Sequence, residues 1–190
     1  RMPQPRFSDH PESVGRRGVS ILNGDDPMTL RLARHAGGRI AYFTLEGGPE
    51  MSPFLQKHVA EGGLLAAREP SVRGGDLVIH DRGRRVVVMS ADEIPATLSG
   101  MAEFNVANAL AALIAGHAQG VPVETMARAL RAFASSHVDN PGRFNIHEAH
   151  GFRAVVDYAH NPAALRAIGD VVERLRPTVG RTIGVVSIPG

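Results

Sequence analysis

Five polar residues hold most of the chemical potential of this sequence: Asn105, Asn108, Arg143, Asp157 and His160. Asp157 follows the apolar run Ala154-Val155-Val156. In an open α/β sheet ligands sit beyond the carboxyl ends of strands, where an acid can accept hydrogen bonds from sugar hydroxyls. The alternative is structural: Asp157 caps a helix starting near Pro162 or holds the turn. Arg143 follows Asn140-Pro141-Gly142, so a rigid proline and a permissive glycine aim a long cation that can reach phosphate oxygens. It could equally be a surface arginine after a turn. Asn105 and Asn108 share one helical face, and a carboxamide can pair with N6 and N7 of adenine; Asn105 could instead be only an N-cap. His160 could position a phosphate or simply be solvated. Asp25 and Asp26 could help bind Mg²⁺ or order a site, although an N-cap role already explains Asp26. His147 and His150 flank Glu148, but on a strand and turn whose alternate residues point to opposite faces, so no metal site is assigned.

These residues need a scaffold, and the pattern predicts an α/β one. Residues 18–22 read as a buried strand. Asp26 and Pro27 open a helix through about Ala36, and Arg39 to Thr44 forms a second strand, together a crossover unit of a parallel sheet. A short helix at 53–61 precedes strands at 64–67, 77–80 and 84–89, the last two joined by a hairpin at Asp81-Arg82-Gly83. Helices follow at 105–119 and 123–135. After a turn at Asn140-Pro141-Gly142 come a hairpin (144–148 and 152–157), a helix from Pro162 to Arg174 and a strand from Arg181 to Val186. A domain boundary is expected near residue 140. Residues 1–17, rich in proline and arginine, read as a linker or truncated edge, 18–139 as one domain portion and 140–190 as an incomplete second one. About 50 residues are too few to close a core alone.

Composition narrows the function. Of 21 basic residues, 20 are arginine and only Lys57 is lysine. A P-loop needs lysine in Gly-x-x-x-x-Gly-Lys-Ser/Thr, and Lys57 lies in Leu55-Gln56-Lys57-His58-Val59, without the glycines. The sequence contains no P-loop. A net charge of +2, with arginines spread among acids, gives no clustered nucleic-acid-binding face. No apolar run approaches the roughly 20 residues that span a membrane, and the start lacks a secretory signal's apolar core, so a cytoplasmic location is expected. The absence of cysteine excludes disulfides and thiolate metal sites.

The order of the motifs is more specific than any one of them. Leu22-Asn23-Gly24-Asp25-Asp26-Pro27 is followed by Asn105-Val106-Ala107-Asn108-Ala109-Leu110-Ala111-Ala112, Asn140-Pro141-Gly142-Arg143-Phe144 and Val156-Asp157-Tyr158-Ala159-His160-Asn161-Pro162. This series resembles the Mur ligase family. Lys57-His58-Val59-Ala60-Glu61-Gly62-Gly63, and Phe133-Ala134-Ser135 ahead of Asn140, point within it to the Mur-ligase-like domain of the cyanophycin synthetase branch. The resemblance covers about residues 14–190. It implies the end of a central ATPase domain followed by the start of a Rossmann-like C-terminal domain, with ATP held between them. The implied chemistry is amide-bond formation: ATP and Mg²⁺ convert a carboxylate to an acyl phosphate, which an amine attacks. In that branch the amine is arginine and the acceptor is the aspartate β-carboxyl of a poly-aspartate (cyanophycin) chain.

By the same resemblance Asn105 and Asn108 are adenine-side residues, Arg143 contacts phosphate, Asp157 binds ribose and His160 borders the pocket. The metal ligands and the P-loop are expected mainly upstream, leaving the 190 residues inactive alone. A homo-oligomer is compatible with this reading. The alternatives are a peptidoglycan or folylpolyglutamate-type segment of the family, or a non-catalytic nucleotide-binding or structural module.

Overall fold

The structure, a computed structural model, describes residues 18–138, 140–176 and 180–187. The stretch expected to be a linker, 1–17, lies outside the described residues. The chain opens with strand β1 (Val19–Asn23), helix α1 (Pro27–Leu32) and strand β2 (Arg39–Thr44). Asp26 caps α1 by accepting from the Met28 amide at 2.9 Å, Pro27 occupies its first turn, and a 3₁₀ turn at Ala33–His35 ends it. Both are local effects: the acid satisfies an orphan helix amide, and proline needs no donor there. Helix α2 (Pro53–Ala60) then leads to β3 (Leu64–Glu69), β4 (Asp76–Asp81) and β5 (Arg84–Ser90).

These five strands form one mixed sheet in the order β1-β2-β3-β4-β5. The β1–β2 and β2–β3 pairs are parallel, with Val19 opposite Arg39 and Ala41 opposite Leu64. The β3–β4 and β4–β5 pairs are antiparallel. The β4–β5 hairpin turns through Arg82 and Gly83, both at positive φ, as a two-residue turn matching strand twist requires.

Alternation along the strands divides the core into two layers. Leu64, Ala66, Leu77 and Ile79 face helix α3 (Glu103–Ala118), whose Val106, Leu110, Leu113 and Ile114 are fully or almost fully buried. Helix α4 (Val123–Ala132) lies outside α3 through Met126 and Ala127. A Cβ on Gly116 would come within 2.6 Å of the Met126 sulfur, so glycine permits this close crossing. On the opposite face Leu22, Tyr42, Leu65 and Ala67 meet Leu55 of α2. Each fully buried Leu contributes about 1.5–3 kcal/mol, so this double layer accounts for the fold's main stabilisation.

An antiparallel hairpin, β6 (Asn145–Ala149) and β7 (Phe152–Val156), is followed by helix α5 (Pro162–Leu175). This unit shares a small core with the front of α3, in keeping with a segment too short to close one alone. Phe144 and Val171 pack with Ala102, flanked by Leu98, Phe104, Ile168 and Leu175. The strand expected over Arg181 to Val186 is not formed. Residues 181–187 carry no regular structure and are exposed, Ile183 at 72% and Val185 at 92%. Its sequence has β propensity, but a strand requires a hydrogen-bonded neighbour, and none pairs with it among the described residues. The described part of the C-terminal unit is therefore a hairpin and a helix, not a parallel sheet. No helix among the described residues is long and apolar enough to cross a membrane.

Candidate functional site

A cleft of about 620 Å³ opens where α3, α4 and the turn before β6 meet. Small-molecule sites typically occupy about 300–1,000 Å³, with apolar walls and a few placed polar groups. Its walls are Ala109 and Ala112 of α3, Leu130 of α4, and Phe104, Phe133 and Phe144. Asn105, Asn108, Asn140, Arg143 and Asp157 supply polar groups. Residues from four separate stretches of sequence thus converge on one cavity.

The asparagines are held in order. Asn105 lies inside the first turn of α3, whose N-cap is Ala102; it is not the N-cap that its sequence context allowed. Its Nδ2 donates to the Ala96 carbonyl at 2.7 Å, and its Oδ1 accepts from Asn108 Nδ2 at 3.4 Å. A carboxamide offers one carbonyl and two N–H donors. Asn105 thereby orients Asn108, whose carbonyl oxygen has no partner among the described residues.

Arg143 is exposed and makes no ion pair among the described residues; its guanidinium lies 5.8 Å from the centroid of the Tyr158 ring. Its backbone is fixed instead. The Arg143 amide donates to the Asn140 carbonyl at 3.3 Å, and its carbonyl accepts from the Ser135 hydroxyl. Gly142, at φ +72°, gives the turn a left-handed residue at little cost. Phe144 is also left-handed, at φ +54°, which costs a side-chain-bearing residue about 1–2 kcal/mol. Burial of its ring to 2% exposure, edge-on to Phe104 at 5.1 Å, offsets that strain.

Asp157 is half-buried, and its carboxylate has no hydrogen-bond or ion-pair partner among the described residues. It does not cap α5: Asn161 does, accepting from the Ala164 amide at 2.9 Å. The capping alternative for Asp157 is therefore overturned. His160 does not line the cleft. It is exposed in a neighbouring concavity, with Nδ1 3.2 Å from the Tyr158 carbonyl and its ring 5.4 Å from that of Tyr158. Tyr158 thus neighbours both Arg143, which lines the cleft, and His160, which does not.

Sequence reasoning singled out no role for Asn145, which holds this region together. At 1% exposure, its Nδ2 donates to the carbonyls of Asn140 at 2.9 Å and Ser135 at 3.0 Å, and its Oδ1 accepts from the Gly142 amide at 2.6 Å. The aromatic walls were also missed as contacts. The only available signal was an asparagine and a phenylalanine immediately after a glycine turn.

Asp25 bridges the carboxyl ends of β1 and β2, accepting from the Thr44 hydroxyl and from the Leu45 amide at 2.8 Å. Asp26 is occupied at the cap and by Thr29, and the hydroxyl and amide bonds to Thr29 and Met28 lower its pKa. No three His, Asp or Glu gather as metal ligands among the described residues.

Charge also fixes the far end of the sheet. Asp81 accepts from Arg39 and lies 3.0 Å from His117 Nε2, tying β2 and the β4–β5 turn to the last turn of α3. Burial alone would raise its pKa, but bonds to His117 and Arg39 outweigh it and hold the carboxyl below the usual aspartate range. Since α3 runs between this anchor and Asn105, one helix links the base of the sheet to the cleft.

No family model matches the chain. It is 37% identical over 179 residues to the cyanophycin synthetase of a Synechocystis species, covering 94% of this chain and 19% of that protein. It is 38% identical over 179 residues to a cyanophycin synthetase from a Nostoc species, with the same coverage of both. A UDP-N-acetylmuramoyl-L-alanyl-D-glutamate–2,6-diaminopimelate ligase from Corynebacterium efficiens is 37% identical over 125 residues, covering 65% of this chain and 20% of that protein. The chain thus spans about a fifth of the length of these curated relatives.

Proposed function

From a chain that is a Mur ligase family segment, homologous over 94% of its length to part of cyanophycin synthetase, we propose that it forms the adenosine side of a ligase's ATP site. The reading rests on one observation: Asn105, Asn108, Arg143 and Asp157 line the same apolar cleft. In this account the alanine and phenylalanine walls take the adenine, and the carbonyl of Asn108, which has no partner among the described residues, accepts from its exocyclic amine. Asp157 accepts from ribose hydroxyls. Arg143 contributes charge at the phosphates, with His160 bordering that end. The cytoplasm, where ATP is made, is the compartment this reading requires.

The reaction we assign to the complete protein is ATP-dependent addition of arginine to the aspartate β-carboxyl of a poly-aspartate chain. ATP supplies the phosphoryl group that activates the carboxylate, releasing ADP. The arginine amine then attacks the acyl carbon, and phosphate leaves as the amide forms. Such activation depends on positioning and charge stabilisation, which a cleft closing around bound nucleotide provides. In this reading the P-loop and most of the Mg²⁺ ligands come from sequence upstream of these 190 residues, so the segment alone should bind nucleotide without turning it over.

An assay for ADP release by the full-length gene product, with poly-aspartate primer and arginine, tests this reading. Arginine-dependent ADP release supports it. Release driven only by diaminopimelate or alanine with a muramoyl acceptor would transfer the assignment to the peptidoglycan branch, and nucleotide binding without turnover would leave a non-catalytic module.

A further inference from the structure

Helix α5 reaches back to the helix that carries the cleft's asparagines. Arg174, in its last turn, straddles the start of α3: Nη2 donates to Glu103 Oε1 at 2.7 Å and Nη1 to the Met101 carbonyl at 3.0 Å. Glu103 has a second cation in reserve, Arg68 of β3 at 3.7 Å. Beneath them Val171 packs with Ala102 and Phe144. Phe144 in turn stands edge-on to Phe104, lines the cleft and adjoins Arg143. The position of α5 is therefore transmitted through two packed rings to the groups around the cleft.

We propose that Arg174 and Glu103 form a releasable latch that seats the C-terminal unit on α3 and sets the cleft's geometry, making both residues positioning residues for the nucleotide; this rests on the nucleotide reading above. Both side chains are 42% exposed, so water and salt compete with the pair and its strength is modest. Arg68 can keep the Glu103 carboxylate paired when Arg174 leaves, so release strands no charge. The buried Val171–Phe144 contact defines the seated state, and the ion pair biases how often it is occupied. This division suits a joint that opens and closes around a ligand.

The test combines hydrogen exchange and adenosine binding in the full-length protein, comparing wild type with R174Q, E103Q and the double variant. Adenosine is the probe because it has no phosphate charge of its own to respond to salt. Each single variant is expected to speed amide exchange at residues 102–106 and 142–146 and to weaken adenosine about two- to fivefold. The double variant should match the larger single effect. Raising the salt concentration should move wild-type exchange at 142–146 toward the R174Q value and leave R174Q nearly unchanged. Unchanged exchange at 142–146 in R174Q, or effects that simply add in the double variant, overturns the latch. If wild-type protein fails to bind adenosine, the nucleotide reading fails, while the exchange measurements still decide whether the latch exists.

Discussion

Replacing Asn145 with alanine should loosen the cleft's turn and destabilise the protein together. The Asn145 carboxamide makes three short bonds, from Nδ2 to the Ser135 and Asn140 carbonyls and from the Gly142 amide to Oδ1, and a long one from Nδ2 to the Arg143 carbonyl at 3.5 Å, with the side chain 1% exposed. Each such bond contributes about 0.5–1.5 kcal/mol net, and a buried group left unpaired costs about 1–3 kcal/mol. The backbone partners are partly exposed, so water can replace some bonds. The expected loss is therefore about 2–3 kcal/mol, the middle of the summed range. Urea unfolding followed by circular dichroism measures it. Because the turn carries Asn140 and Arg143, ATP affinity should fall at the same time. Asn145→Asp separates hydrogen bonding from volume: it retains the acceptor for Gly142 but sets carboxylate oxygens against two carbonyls. That variant should be at least as unstable as the alanine variant at neutral pH and recover partly in acid, where a protonated carboxyl can donate. A loss below about 0.5 kcal/mol for alanine, with ATP affinity intact, would refute the claim that these bonds hold the site.

Asp157→Ala should weaken adenosine by about tenfold or more, the value of hydrogen bonds to a charged group, and leave free adenine unaffected, as calorimetry can resolve. Arg143→Ala should lower affinity for ATP without changing affinity for adenosine, which separates a phosphate role from an adenine one. For Asp81 the folded pKa is depressed, so its contribution to stability is present above the unfolded value and lost as pH falls through the folded one. Thermal melts across the acid range should show Asp81→Asn with a shallower loss of stability than wild type. Gly63→Ala should cost about 1–3 kcal/mol, since its Cβ would come within 2.3 Å of the His58 ring, which is braced against Tyr42 at 4.8 Å; chemical denaturation checks it.

What could be read from sequence was what local chemistry fixes. Asp26-Pro27 marked the start of α1, and Arg82-Gly83 and His150-Gly151 marked hairpins, because caps and two-residue turns depend on a few adjacent residues. Residues 181–186 read as a strand and do not form one, because pairing depends on a neighbour that propensity cannot supply. The site divided in the same way. Asn105, Asn108, Arg143 and Asp157 were identifiable by type and motif order, yet whether Asn105 and Asp157 were caps turned on where each helix begins. Ala102 and Asn161 occupy those positions. The roles of Asn145 and the Phe104–Phe144 contact were not legible, since both arise from packing between segments that are distant in sequence or joined through a turn.

Photolabelling of the full-length protein with an azido-adenine analogue of ATP, followed by peptide mapping, tests the central claim most directly. The account predicts ATP-protectable label within residues 104–112 and at Phe133 or Phe144, the walls around the proposed adenine position. Label confined to β6, β7 and α5, or to regions outside these 190 residues, with the cleft walls unmodified, would contradict it.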